Sequence, residues 1–270
     1  MNTAIETREK SSVIKRLDFD KLLLLVCLLG FFIRLLYFLL VAADNQLSGD
    51  ASSYHLTANI FADGLGFTEP FRYLFGAIDS VPIEGELVEV ITPIGHIEPT
   101  AGHPPMWTLL LSIGSFLGFT TVFQQQIFSI LLGMPSIILA GLIGKKISSE
   151  RLGLIAASLT ATYAFIWIND GLLMAETCAI TGAMACILAG LTLAENQNMK
   201  NALIFGCVGG LAALCRAELL IYLPLVGAII LFNKNISWRT KILQYLSVGL
   251  AALLVISPWV IRNLYSFEEN

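Results

Sequence analysis

KLLLLVCLLGFFIRLLYFLLVAA, residues Lys21 to Ala43, decides what kind of protein this is. A bilayer's hydrocarbon core is about 30 Å thick and a helix rises about 1.5 Å per residue, so about 20 apolar residues cross it. This run is long enough, and its single internal charge is Arg34. Arg8, Lys10, Lys15, Arg16 and Lys21 lead into it, a cationic flank that predicts a cytoplasmic N-terminus. Val41-Ala42-Ala43 has the small residues of a signal cleavage site. The apolar stretch is nevertheless longer than the roughly 7–15 residues of a cleaved signal, which favours a retained span.

The rest of the chain agrees. Its 270 residues are 56% hydrophobic and 13% charged, against about 25% charged residues in soluble domains. A mean hydropathy of +0.76 leaves too little polar surface to cover a water-soluble globule. Disorder and coiled coil are excluded on the same grounds. The five cysteines, Cys27, Cys178, Cys186, Cys207 and Cys215, all fall in apolar runs and read as small buried hydrophobes rather than a disulfide scaffold. A net charge of −4 offers nothing to nucleic acid. The expected fold is an all-α, multi-pass membrane bundle.

Placing the cationic loops inside orders the crossings. Those loops hold Lys145, Lys146 and Arg151, then Lys200, then Lys234, Arg239 and Lys241. Spans are predicted at Val122–Gly144, Leu152–Asn169, Ala175–Leu193, Ala202–Cys215, Leu219–Phe232 and Ile242–Ile261, about seven with the first. Arg216 and Glu218 break the fifth and sixth of these from one another. Pro105 to Gly118 is apolar but too short to cross, so an interfacial or re-entrant helix on the external surface is expected. The predicted organisation is a cytoplasmic tail at 1–20, one membrane domain at 21–265 with an external loop at 44–121, and an external tail at 266–270.

Asp44 to Pro104 contains nine acids, a single base (Arg72), and all three histidines, His55, His96 and His103. Loops of this length in membrane proteins usually carry function. Its acidic run, Asp79, Glu84, Glu86, Glu89 and Glu98, reads by default as a solvated face. Ser48-Gly49-Asp50 looks like a helix start, with Asp50, Tyr54, Thr57 and Ala58 on one face and Gly64 and Gly66 as the stop. Asp50 then either caps that helix or stands at the membrane edge as a base. The histidines lack the spacing of a compact zinc motif, and no phosphate loop, nucleophile elbow or Ser-His-Asp set is present. No metal ligands are assigned, and a requirement for a divalent cation stays open.

A charge at bilayer depth costs about 2.5–3.5 kcal/mol on insertion scales, so each needs a reason. Arg34 either snorkels to headgroups or meets a phosphate. Glu176 either caps a span or faces the same cavity as Asp50. Arg216 and Glu218 form a neutralising pair in the bland reading. Trp259 and Arg262 sit at a span end, where aromatic and cationic anchors are ordinary.

Taken together these elements resemble the GT-C glycosyltransferases of the protein O-mannosyltransferase and aminoarabinose-transferase kind. The resemblance rests on the span with its basic tail, Asp50-x3-Tyr54-x3-Ala58-x5-Gly64-x-Gly66-Phe67, His103-Pro104-Pro105, the KKISSERLG loop, Met174-Ala175-Glu176, GGLAALCRAELLIYLPL and PWVIRN. It covers about residues 20 to 265, and it implies a chain without that group's usual C-terminal part.

The resemblance implies a sugar donor on a polyprenyl phosphate, a lipid, glycan or protein acceptor, and inverting transfer at the external face of the plasma (inner) membrane. Asp50 takes the role of base. Tyr54, His103, Glu176, Glu218, Arg34, Arg216 and Arg262 are expected to bind substrate, with Arg216 and Arg262 preferred for the leaving phosphate. A transporter or flippase is the first rival, and a non-catalytic membrane partner the second. Ionisable groups gathered at one face, with no internal repeat, speak for an interfacial enzyme over a conduit.

Overall fold

The computed structural model describes residues 18–47, 49–83, 86–232 and 236–267. Arg8, Lys10, Lys15, Arg16, Ser48, Glu84 and Lys234 lie outside the described residues. Helix α1 (Phe19–Tyr37) runs on through a wide turn at Phe38–Ala42. Then come α2 (Asp50–Ile60), α3 (Pro70–Phe75), a hairpin of β1 (Ala77–Ile83) and β2 (Glu86–Thr92), and α4 (Pro105–Phe116). The remaining helices are α5 (Val122–Gly133), α6 (Pro135–Ile147), α7 (Glu150–Thr162), α8 (Ala164–Trp167), α9 (Glu176–Glu195), α10 (Met199–Cys215), α11 (Tyr222–Gly227), α12 (Ile229–Phe232) and α13 (Trp238–Phe267).

Among the described residues, four helices are long and apolar enough to cross a membrane: Phe19–Ala42, Val122–Ile147, Glu176–Glu195 and Trp238–Phe267. A fifth crossing exists if α7 and Ala164–Leu172, bent by 71° from each other, count as one. The expected count of about seven is not reached on these criteria. Helix α10, at 17 residues, is about 26 Å long. The segment expected as Leu219–Phe232 breaks into a 3-10 turn at Ala217–Ile221 and the short helices α11 and α12.

Small residues let the helices close on one another. A Cβ on Gly144 of α6 would stand 2.9 Å from the Cα of Gly153 on α7. Gly206 of α10 lies against the carbonyl of Val248 on α13, and a Cβ on Gly210 would stand 2.9 Å from the carbonyl of Ala252. Close backbone approach of this kind is how helices associate where lipid removes the hydrophobic drive.

Lysines gather at one end of the bundle. There Lys145 pairs with Glu150 at 2.9 Å and lies over the Phe19 ring, while Lys146 pairs with Glu195 at 2.5 Å. Glu195 ends α9 and Glu176 begins it. Nineteen steps of about 1.5 Å separate them by about 28 Å, close to a hydrocarbon thickness.

The structure adds detail to two parts of the long loop. Helix α4, expected as an interfacial or re-entrant helix, packs one face inward: Trp107 and Leu111 are fully buried, and the Trp107 indole donates to the Leu173 carbonyl at 2.9 Å. The acidic run is not featureless. Asp79, Glu86 and Glu89 lie in an antiparallel hairpin, with Ala77 opposite Thr92 and Ile83 opposite Glu86. Arg72 anchors the hairpin through Asp79 at 2.8 Å and Glu98 at 3.3 Å, and these acids raise the pKa of Arg72, Glu98 foremost. The all-α expectation therefore holds for the bundle and fails at this hairpin.

Candidate functional site

Asp50 is the first residue of α2. The N-cap is Gly49, whose φ of +53° lies in the region that glycine tolerates best. No side chain caps the helix, so the Asp50 carboxylate does not serve as a cap. It is 57% exposed, with its Oδ1 3.9 Å from Nε2 of His103. Two prolines hold His103 in place: Pro104 and Pro105 occupy the cap and first positions of α4, where the fixed φ of proline suits a helix start. One turn along α2, buried Tyr54 places its ring 4.6 Å from the His103 ring. Burial, then the Asp50 charge, pushes the Tyr54 phenol up to about 12, so it stays protonated.

Helix α2 is fixed from behind by a polar network. Fully buried Gln125 of α5 meets His55 Nδ1 at 2.9 Å and donates to Asn59 at 3.1 Å and Ser115 at 2.7 Å. Ser115 also donates to Asn59 at 2.8 Å. Burial lowers the His55 pKa, and the contact with Gln125 works against that shift.

Glu176, at the start of α9, forms an ion pair with Arg216 at the end of α10. Both remain partly open, Arg216 at 40% and Glu176 at 31%. The second Glu176 oxygen, Oε2, is enclosed without a hydrogen-bond partner among the described residues. Asp50, Arg216 and Glu176 all lie near enough to bear on Tyr54. These residues, with His103, form one cluster.

Three expected site residues fall elsewhere. Arg34 does not reach a headgroup or a phosphate: it is buried, bonded to Asp170 at 2.5 Å and directed at Ser136 at 3.4 Å. Asp170 is itself buried and also accepts from Thr177 at 2.9 Å. Arg262 commits its guanidinium to backbone, donating to the carbonyls of Thr100 at 2.8 Å and Phe67 at 2.9 Å. It sits beside the rings of Phe67, Trp259 and Phe267, and so ties the loop to α13 rather than waiting for phosphate. Glu218 is exposed, and Arg216 pairs with Glu176 instead of with it.

Beside His103 opens a cavity of about 290 Å³, lined by Pro104, Leu214, Leu220, Ile256 and Trp259 among others. A second apolar cavity of about 300 Å³, between α11 and α13, shares Leu220 and Ile256 with it. The two adjoin at these residues, and the first of them opens at His103. Among the described residues, no three His, Cys, Asp or Glu side chains gather as metal ligands.

A family model described as dolichyl-phosphate-mannose-protein mannosyltransferase matches residues 102–261. The chain belongs to this family. No curated protein matches it. The mannosyltransferase family match takes in His103, Glu176, Arg216 and Glu218, and it stops one residue before Arg262. Asp50 and Tyr54 fall outside the matched stretch. Membership makes the chain a membrane glycosyltransferase of the GT-C kind.

Sequence reasoning missed Gln125, which braces α2, and the burial of Asp170 against Arg34. Gln124-Gln125-Gln126 in an apolar run was the available signal for the first. Nothing local pairs Asp170 with Arg34, 136 positions earlier.

Proposed function

We propose that the chain moves a sugar from a polyprenyl-phosphate donor to a lipid, glycan or protein hydroxyl, with inversion, at the external face of the plasma membrane. The observation that carries this reading is an uncapped, half-exposed Asp50 beside His103 at the mouth of an apolar groove. Asp50 accepts the proton of the acceptor hydroxyl, whose oxygen attacks the anomeric carbon. The bond from that carbon to the phosphate oxygen breaks, and the lipid phosphate leaves with the electron pair. Arg216, aimed by Glu176, is the cation of this cluster that meets the growing negative charge. The groove through Leu220 and Ile256 accepts the isoprenoid tail. His103 and Tyr54 shape the sugar pocket, and Glu176 Oε2 offers it a hydrogen-bond acceptor.

Sidedness rests on charge. The cluster lies about 28 Å along α9 from the Lys145 and Lys146 end, and cationic loops are retained inside. The test uses the full chain in proteoliposomes with labelled polyprenyl-phosphate sugars. Asp50→Asn is expected to lower transfer by roughly 10²–10⁴-fold while donor binding persists. Transfer at the wild-type rate refutes the assignment of Asp50. Donor translocation without any transfer by the wild type favours a flippase instead.

A further inference from the structure

Helices α9 and α10 run antiparallel in constant register. Glu176 meets Arg216, a Cβ on Gly182 would stand 3.2 Å from the Cα of Ala212, and one on Gly190 would stand 3.5 Å from the Phe205 ring. Each step forward along α9 is matched by a step back along α10. Between the first two contacts that register brings Cys178 opposite Cys215. Both are buried free thiols of the same core cluster. Both line one cavity of about 260 Å³ beneath α4.

Adding one carbon–carbon bond of about 1.5 Å to the Gly182 contact places the two Cα atoms there within about 5 Å. A disulfide needs Cα atoms roughly 4.4–6.8 Å apart. One turn along the same seam, Cys178 and Cys215 fall within the reach of such a bond. The register also sets Cys186 level with Cys207, but Cys186 is fully buried and Cys207 exposed, so that pair points apart.

We propose that Cys178 and Cys215 are a disulfide-forming pair, a modification site that staples the head of α9 to the end of α10 just beneath the Glu176–Arg216 ion pair. The reaction is thiol–disulfide exchange with a protein or small-molecule disulfide of an oxidising compartment. One thiolate attacks the oxidant's sulfur, and the second then displaces the mixed disulfide. A Cys178–Cys215 bond forms, the oxidant's bond breaks, and two thiols leave carrying both protons and both electrons. The staple holds Glu176 and Arg216 face to face whatever sugar the site handles, so it does not depend on the transfer reading.

The test treats membranes containing the full chain with copper phenanthroline, alkylates the remaining thiols, digests, and reads the peptides by mass spectrometry. A linked Cys178–Cys215 peptide is expected, abolished by dithiothreitol and by Cys178→Ala, with Cys27 and Cys207 alkylated. A companion variant, C178A/C215A carrying G182C and A212C, should cross-link at the closest point of the seam. Free Cys178 and Cys215 in protein whose 182–212 pair does cross-link overturn the proposal. So does a bond from Cys178 to Cys186 or Cys207. Failure of both pairs overturns the register itself, and the proposal with it.

Discussion

Replacing Arg262 by methionine keeps most of the side chain's length and apolar bulk while removing its charge and its donors. The guanidinium holds two carbonyls far away in sequence, Thr100 and Phe67, at 2.8 and 2.9 Å. The Phe67 carbonyl also receives the Thr100 amide at 2.9 Å, and nearby the Glu69 amide donates to Glu98 at 2.8 Å and the Gly95 amide to Tyr73 at 2.8 Å. Arg262 is therefore the pin through which α13 holds the base of the hairpin segment and the approach to His103. A hydrogen bond to a charged group contributes about 1.5–3 kcal/mol. Arg262 is partly exposed, so each bond is set at or below the lower end of that range, about 1–2 kcal/mol, and the two together contribute about 2–4 kcal/mol. At about 1.4 kcal/mol per tenfold, loop opening should become roughly 30- to several-hundred-fold more populated in Arg262→Met. Hydrogen exchange read by mass spectrometry on peptides containing Glu69, Gly95 and Thr100 measures this directly. Arg262→Lys, which keeps the charge but not the fork, should fall between the two. Unchanged protection in Arg262→Met would show that the loop is held by something else, and the clamp would be refuted.

Asp170→Asn leaves the Arg34 charge buried without its partner, which should destabilise the protein in detergent by about 3–5 kcal/mol; Arg34→Met with Asp170→Leu should recover most of the loss, and a single variant as stable as wild type contradicts the assignment. Because burial depresses the His55 pKa, the unfolded chain takes its proton first, near 6.5. Stability from this group is thus complete above about pH 6.5 and declines as pH falls from there toward the native pKa; unfolding midpoints between pH 7.5 and 5 should show that slope, and His55→Asn should flatten it. Gly206→Val drives methyl groups into the Val248 carbonyl and Ala251 of α13 and should destabilise by about 1–3 kcal/mol. Gly249→Ala, which meets nothing within 4 Å, should be neutral or stabilising by up to about 1 kcal/mol; equal melting temperatures for the two variants would show the α10–α13 seam to be loose.

Much of the site is legible in the amino-acid sequence, because its signals are local. Ser48-Gly49-Asp50 followed by Tyr54 marks a helix start with its acid, and His103-Pro104-Pro105 marks another helix start with its histidine. Arg216 stands out as an ionisable group inside an apolar run. Which partner each charge finds is not legible there. Arg216 has Glu218 two residues away and pairs with Glu176, 40 positions earlier. Helix α10 ends at Cys215 with Arg216 extended, so the side chain turns toward α9 while Glu218 rides an exposed turn. Arg262 looks like a free phosphate ligand for the same reason: its true acceptors are backbone carbonyls, which carry no sequence signature. The hairpin escapes a sequence reading because its acids look like a solvated run, and only the Arg72–Asp79 and Arg72–Glu98 contacts give them a common purpose.

The amino-acid sequence determined the solvent this protein lives in, the helical character of its bundle, and the residues able to do chemistry, since hydropathy, periodicity and charge are properties of short stretches. Tertiary structure alone decided that Arg34 and Asp170 cancel inside the bundle, that Arg262 is a clamp, that Asp50 stands beside His103 at an apolar cavity, and that Arg216 pairs with Glu176. Pairing of charges across a hundred residues depends on which helix faces meet, and that depends on the small residues scattered through the whole chain rather than on the neighbours of any one of them.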